Sequence, residues 1–413
     1  MPRGVLLSEP VRIGLLGQGT VGGAFALLVA ERAEAVATAT GRRPEISAVL
    51  RRSEGSFEEV LAGADVIVEL IGGTDPARDY VLRALQAGKP VITANKQLVA
   101  QHGEELFAAA RESGVQLRFE AAVAGAIPII RVVSEGIGTL EVERISGIVN
   151  GTTNFILTEM AATGATYADT VRRAQELGYA EADPTADVSG SDAAAKMAIL
   201  ARIVFNTPVH LDDVSYEGIE GISADDIAYA KELGLSLKLL GIAERHEEGI
   251  SVRVYPCFLY RGHPLAPVEG PFNAVTVEAP AITEITMSGP GAGGIETASA
   301  VLGDLVSILS GDAPGQDTSQ SLKIIDELDS SFYLHLEVAD RPGVLAAIAE
   351  VLGRHELSVK SVVQNGLGDD ARLIMVVHRA PERHFYAALA EIEQLDFLRA
   401  APRAIRVVEE EYV

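Results

Sequence analysis

Between residues 178 and 196 the chain reads Gly-Tyr-Ala-Glu-Ala-Asp-Pro-Thr-Ala-Asp-Val-Ser-Gly-Ser-Asp-Ala-Ala-Ala-Lys, crowding four carboxylates and one lysine into a loop that runs into a helix. Asp192 and Lys196 are four apart, so on a helix opening near Ser189 they project from one face, one turn apart. That spacing lets them share a proton network or a small polar substrate. Alone, an Asp-x-x-x-Lys pair is a surface ion pair worth ~0.3–0.5 kcal/mol. Its company decides whether it is more.

Such a pair needs elements to position it, and the first of these is a nucleotide fold. Val11 to Leu16 is an apolar run that flows into Gly17-Gln18-Gly19-Thr20-Val21-Gly22, after which Ala24 to Val29 continues as an apolar helix. The glycines permit a tight turn, close approach of backbone to a pyrophosphate, and close helix–strand packing, with the helix N-terminus facing the phosphates. Runs at 46–50, 65–70, 91–93 and 115–119 alternate with helical segments, as a doubly wound parallel sheet requires. The second strand ends in Arg51-Arg52 where an NAD-preferring site usually carries an acid. Two guanidinium groups there favour the 2′-phosphate of NADP, with NAD possible if they are merely solvated. Thr93-Ala94-Asn95-Lys96 follows the fourth strand, at the sheet edge where ligands of such folds collect.

Three further segments could line a site. Phe119 to Pro128 holds one carboxylate, Glu120, among small residues whose free carbonyls could cage a hard monovalent cation; the same loop could equally be packing. Ser146-Gly147-Ile148-Val149-Asn150-Gly151-Thr152-Thr153-Asn154 ends a strand and starts a helix, so Asn150 or Thr152 can cap that helix, line a polar pocket, or both. Gly289-Pro290-Gly291-Ala292-Gly293-Gly294 precedes a helix over 296–310 that could pack back on the first domain. Runs at 250–260 and 274–278 read as strands of a mixed sheet covered by the helices of 154–206.

Ser310 to Leu322 is polar, bears proline and glycine, and lacks apolar periodicity, which marks a boundary. Beyond it strands near 331–338, 357–364, 371–378 and 403–408 and helices from Asp340-Arg341-Pro342-Gly343 to Leu352 and over 381–394 give the order βαββαβ, a ferredoxin-like unit. The 413 residues therefore form an α/β chain of three units: 1–145, a Rossmann-type parallel-sheet domain; 146–317, a mixed α+β domain; and 330–413, the ferredoxin-like unit. A net charge of −24 disfavours binding to nucleic acid or anionic lipid. One cysteine, Cys257, excludes an intrachain disulfide and fits burial in a core. No segment of signal or membrane-spanning length is present, so a cytoplasmic protein is expected.

Together, the Gly-Tyr-x-Glu-x-Asp-Pro and Asp-x-x-x-Lys segment, the Thr-Ala-Asn-Lys turn, the 146–154 segment and the Gly-Pro-Gly-Ala-Gly-Gly run with Thr297-Ala-Ser-Ala resemble homoserine dehydrogenase over nearly the whole chain. The resemblance implies reversible NAD(P)H-dependent reduction of L-aspartate 4-semialdehyde to L-homoserine. It assigns proton transfer to Lys196, directly or through water, and the substrate's ammonium and hydroxyl ends to Glu181 and Asp192. It places Lys96 beside both cofactor and substrate, and Gly17, Gly19, Thr20, Val21, Arg51, Gly178 and Gly294 on the cofactor. A sodium-type ion would sit at Glu120 and the carbonyls of Val123, Gly125 and Ile127, although Ala124 and Ala126 stand where the family often has glycine. The middle domain would form a dimer interface, in a dimer or tetramer. The Asp-Arg-Pro-Gly-Val-Leu start of the last unit resembles the ACT domain, which implies an amino-acid effector, threonine foremost. Rival readings are another amino-acid dehydrogenase on the same nucleotide domain, or a non-catalytic NADP sensor; the Glu181, Asp192 and Lys196 set argues against both.

Overall fold

The computed structural model describes residues 10–311, 321–366 and 371–408. Most of the boundary expected over 310–322 and the first nine residues lie outside these. In the first domain β1 (Pro10–Leu16), α1 (Thr20–Thr40), β2 (Arg43–Leu50), α2 (Phe57–Gly63), β3 (Val66–Glu69), α3 (Ala77–Gln86), β4 (Val91–Thr93), α4 (Lys96–Glu112) and β5 (Leu117–Arg118) alternate. Five parallel strands form one sheet in the order β2-β1-β3-β4-β5. Ile13, Leu15, Ile67, Val68 and Ile92 are fully buried, because helices cover both faces of a parallel sheet. The order reverses at β1, which opens a crevice between the carboxyl ends of β1 and β3.

The chain then makes a short turn of helix at Glu120–Ala122, α5 (Ile129–Arg131), β6 (Arg144–Ile148), α6 (Gly151–Thr163), α7 (Tyr167–Glu176), α8 (Thr185–Val188) and α9 (Ser191–Val204). After β7 (Ser215–Tyr216) and α10 (Ala224–Glu232) come four long strands, β8 (Leu235–His246), β9 (Gly249–Tyr260), β10 (Phe272–Ala279) and β11 (Thr283–Pro290). Helix α11 (Gly294–Ser310) returns to the first domain, where Ala298, Val301 and Leu305 join Val11, Ile13 and Phe25 in one cluster. Buried residues of α6 and α9 pack under β8 and β9 in the largest core. Cys257 is buried as expected.

The last unit consists of β12 (Asp329–Val338), α12 (Val344–Arg354), β13 (Val359–Asn365), β14 (Ala371–Pro381), α13 (Glu382–Ile392) and β15 (Arg403–Val408), the βαββαβ order read from the sequence. It is not detached. Strand β15 pairs in parallel with β9, Arg406 opposite Cys257, Val407 opposite Phe258 and Val408 opposite Leu259. A single mixed sheet therefore runs β11-β10-β6-β8-β9-β15-β12-β14-β13, with β7 beside β9. Tyr333, Ile374, Val376, Ile405 and Val407 belong to the main core, while Phe332, Leu334, Val351 and Phe385 form a core under α12 and α13. Polar groups reinforce the seam: Arg406 pairs with Glu217 and Glu382, each at 3.0 Å, and buried Asp226 of α10 meets His335 Nδ1 at 2.6 Å. No helix among the described residues is long and apolar enough to cross a membrane.

Candidate active site

The glycines of the first turn divide by what surrounds them. Gly17 has φ +97°, and a Cβ there would lie 2.6 Å from the Leu70 carbonyl; at Gly22 it would lie 2.1 Å from the Gly17 carbonyl. The chain itself requires those two. Gly19 has nothing within 4 Å of the same position, so its open side is left for a ligand. It is also the N-cap of α1 without a side-chain cap, so the first amides of Thr20 and Val21 are unspent by any such group. Gly294 opens α11 against this turn, and a Cβ there would sit 3.2 Å from Thr20 Cγ2. The second glycine run thus comes back to the first.

Arg51 follows β2 beside the turn, its Nε donating to Gln18 Oε1 at 2.6 Å and its guanidinium pairing with Glu54 at 2.6 Å. Across the crevice, buried Glu69 at the end of β3 accepts from Ile71 N at 2.7 Å and from Thr93 Oγ1 at 2.6 Å. Burial raises its carboxyl above the usual carboxylate range, against these hydrogen bonds. It ties the loop after β3 to the turn that leads to Lys96. Glu69 carried no motif in the sequence; a carboxylate inside the Asp65–Leu70 apolar run was the only available signal.

Helix α4 opens at Lys96 with Asn95 as its cap, accepting from Leu98 N at 3.1 Å. Lys96 forms an ion pair with Oδ1 of Asp192, which is buried near the start of α9. Lys196 donates to Oδ2 of the same carboxylate at 2.8 Å and to the Val149 carbonyl at 2.7 Å. Asn150 completes the cluster: its Nδ2 donates to Asp192 Oδ2 at 2.8 Å and to Asp187 Oδ1 at 2.7 Å, while its Oδ1 caps α6 by accepting from Thr153 N at 2.8 Å. Burial alone would raise the Asp192 carboxyl, but the charges of Lys196 and Lys96 and their hydrogen bonds hold it well below the usual carboxylate range. Of the two lysine side chains, Lys96 is 37% exposed and Lys196 12%.

The helix carrying Asp192 and Lys196 starts at Ser191 rather than Ser189, with left-handed Gly190 before it. The short α8 intervenes, and a Cβ on Gly190 would lie 2.8 Å from the Glu217 carbonyl. Glu181 is exposed on the preceding loop, and its carboxylate makes no ion pair or hydrogen bond among the described residues. Its carbonyl is held by Gln175 Nε2 at 3.2 Å. Gly178, with φ +77°, turns the chain out of α7. Ser146 does not share the polar lining with Asn150; it lies in a separate cleft with Ile242 and Tyr255.

In the loop after β5 both Glu120 oxygens are engaged, accepting from Ile130 N at 2.8 Å and Arg131 N at 2.9 Å at the head of α5. Its own amide donates to Asp304 of α11 at 2.8 Å. Burial, then the Asp304 charge, pushes Glu120 up to about 7; burial raises Asp304 to about 6. Ala124 and Gly125 take φ of +58° and +59°, and the Ile127 carbonyl accepts from Ile129 N at 2.8 Å. The carbonyls of Val123 and Gly125 accept no backbone hydrogen bond among the described residues. Arg131, 3.7 Å from Asp304, and the charge of Arg118 only partly offset the burial of the two carboxylates, so their ionised forms are costly here and a bound cation would favour them. In the last unit a cleft at the head of α12 is lined by Asp340, Gly343 and Gln364.

A glycine turn at the switch point of a parallel sheet, with a buried lysine–aspartate cluster beside it, defines a nicotinamide-dependent dehydrogenase. Residues 17–120 match the family model "Homoserine dehydrogenase, NAD binding domain", residues 128–306 the model "Homoserine dehydrogenase", and residues 333–397 the ACT domain. The homoserine dehydrogenase of Neisseria gonorrhoeae is 39% identical, over 97% of this chain and 99% of that protein; that of Corynebacterium glutamicum is 44% identical, over 96% and 95%. The crystal structure of a homoserine dehydrogenase from Thiobacillus denitrificans superposes with a TM-score of 0.93 at 39% identity, covering 97% of this chain and 99% of that one. The chain belongs to the homoserine dehydrogenase family, NAD(P)-dependent oxidoreductases that interconvert L-aspartate 4-semialdehyde and L-homoserine.

Proposed function

We propose that Lys196 is the proton donor and acceptor of this reaction, with Asp192 as the group that orients it. The observation that carries this reading is one buried carboxylate held by two lysines from different domains, Lys96 from the nucleotide domain and Lys196 from the next. Bound nicotinamide supplies the hydride in one direction and accepts it in the other. As the carbonyl carbon of the semialdehyde gains that hydride, its oxygen needs a proton, which the Lys196 ammonium gives; in the oxidative direction neutral Lys196 takes it back from the hydroxyl. Lys96, the more exposed of the two, orients the reacting oxygen from the cofactor side. Glu181 and Asp187 supply negative charge for the substrate's ammonium group, Asp187 because Asn150 ties it beside Asp192.

The cofactor is NADP, through Arg51 beside the glycine turn; Gly17, Gly19, Thr20, Val21 and Gly294 surround the pyrophosphate side, and Gly178 closes the loop above it. A sodium-type ion balances Glu120 with the carbonyls of Val123, Gly125 and Ile127. It supports the loop between the two domains rather than the chemistry. Threonine binds at the Asp340 turn of the ACT unit, and the protein works as a homo-oligomer.

The deciding test is Lys196→Ala, which should lower turnover by at least ~100-fold, the lower end of what a positioned acid–base group contributes, while NADPH still binds as judged by its fluorescence. Near-normal turnover removes Lys196 from the mechanism. If Lys96→Ala instead gives the larger loss of turnover with KM unchanged, the two lysines exchange roles.

A further inference from the structure

Asn273 lies in β10 with 0% exposure, and neither end of its side-chain amide has a hydrogen-bond partner. Among the described residues no other side chain has two buried polar atoms unpaired. Such an amide is costly, because folding strips its water and returns nothing. What covers it is the glycine run before α11. Asn273 pairs across the sheet with Gly289, and the next two residues carry the chain over its side chain: a Cβ on Gly291 would lie 2.2, 2.3 and 2.3 Å from Cγ, Nδ2 and Oδ1 of Asn273. Near-equal distances put Gly291 over the flat face of the amide rather than along its hydrogen-bonding edges.

The other side of the run is equally confined. A Cβ on Gly125 would lie 2.5 Å from the Gly291 carbonyl oxygen, and Ala126 N donates to the Pro290 carbonyl at 3.1 Å. Pro290 and Gly291 are therefore held between the loop after β5 and the Asn273 amide. Immediately beyond, Gly293 caps α11 with no side-chain partner, and Gly294 meets Thr20 of the dinucleotide turn. On the other flank Ala274 pairs with Ile148, the neighbour of Val149, whose carbonyl accepts from Lys196. Asn273 thus sits under the strip of chain that joins the lysine cluster to the dinucleotide turn.

We propose that Asn273 is a positioning residue for the cofactor: when the dinucleotide meets Gly294, the run from Pro290 to Gly293 settles so that an edge of the Asn273 amide pairs with its backbone, which fixes the head of α11 against the pyrophosphate. This rests on the placing of Gly294 at the cofactor. Asn273 itself touches neither cofactor nor substrate. Because the amide is unpaired in the free chain, the hydrogen bond is made only in the loaded state, and its worth appears in cofactor affinity rather than in folding stability. Gly291 must be glycine for the same reason, since any side chain there would strike the amide.

The test is NADPH binding by fluorescence, with hydrogen–deuterium exchange, on the full-length protein. Asn273→Val and Asn273→Thr share one shape and differ by a hydroxyl, so lost packing affects them alike. Asn273→Val should bind NADPH roughly tenfold more weakly than the parent, the worth of one hydrogen bond, and Asn273→Thr should recover part of that loss. The KM for NADPH should rise in step while that for the semialdehyde holds. NADPH should protect the amides of 291–294 from exchange in the parent and not in Asn273→Val. Equal NADPH affinity in the Val and Thr variants, parental affinity in the Val variant, or parental protection of 291–294 in it overturns the proposal. Gly294→Val tests the reading beneath: if it leaves NADPH affinity unchanged, the cofactor lies elsewhere and both fall. Lost affinity in Gly294→Val beside full affinity in Asn273→Val overturns this proposal alone.

Discussion

Asn150 is the residue on which two roles converge, since one end of its amide caps a helix and the other bridges two carboxylates. Serine can cap but cannot bridge, so Asn150→Ser should keep most thermal stability yet lose turnover. Asn150→Ala should lose both, with ~1 kcal/mol of stability going with the cap; melting temperature and kcat measured on the pair separate the two. Arg51→Ala should raise the KM for NADP by ~10–100-fold, the worth of a charge-assisted pair, and that for NAD much less. Equal changes would mean Arg51 serves only Gln18 and Glu54. The sequence made the Asp192–Lys196 pair legible because both lie on one helix at a fixed spacing. It could point to Lys96 only by motif, since the pairing of Lys96 with Asp192 is set by how two domains meet. Asn150 was readable as a cap, but its bridge to Asp187 depends on the turn at α8.

Among the elements, the loop from Glu120 to α5 makes the sharpest claim. Glu120 and Asp304 have carboxyls raised above their unfolded values, so in the folded state the protonated forms are favoured. The stability tied to them is therefore complete below about pH 4, near their unfolded values, and is lost as pH rises through about 6 to 7, about 6 kcal/mol in all as an upper bound. A bound monovalent cation reverses this by favouring the charged forms. Melting temperature should thus fall between pH 5 and 7.5, roughly, in a bulky organic cation and hold level in sodium at equal ionic strength. Identical curves in the two salts would leave the loop as packing alone. The strands that the sequence showed were those with clear limits, such as β9 and β10. β8 went unread because Leu-Ser-Leu-Lys-Leu-Leu-Gly-Ile-Ala, buried at the centre of a sheet, offers no clean alternation. β11 hid in the approach to the glycine run.

At the scale of the whole molecule, the order βαββαβ was legible but its attachment was not, because pairing between β15 and β9 joins residues about 150 apart through backbone groups that no side-chain pattern advertises. Removing residues 318–413 would uncover the edge of β9 and the apolar residues that Tyr333, Ile405 and Val407 cover. Such a truncation should aggregate or melt well below the parent rather than stand as an unregulated enzyme, since an exposed flat edge is a template for further pairing. Calorimetry of the intact chain should accordingly show the last unit and the mixed sheet unfolding in one transition; a separate early transition assigned to residues 330–408 would show that the seam is weak. For anyone recombining such proteins, the seam also decides where a chimera can be cut. The last unit is not a portable cassette that ends at a linker: its fourth strand is fitted to one particular neighbour, so a transplanted unit inherits the wrong partner unless β9 and the side chains facing Arg406 travel with it.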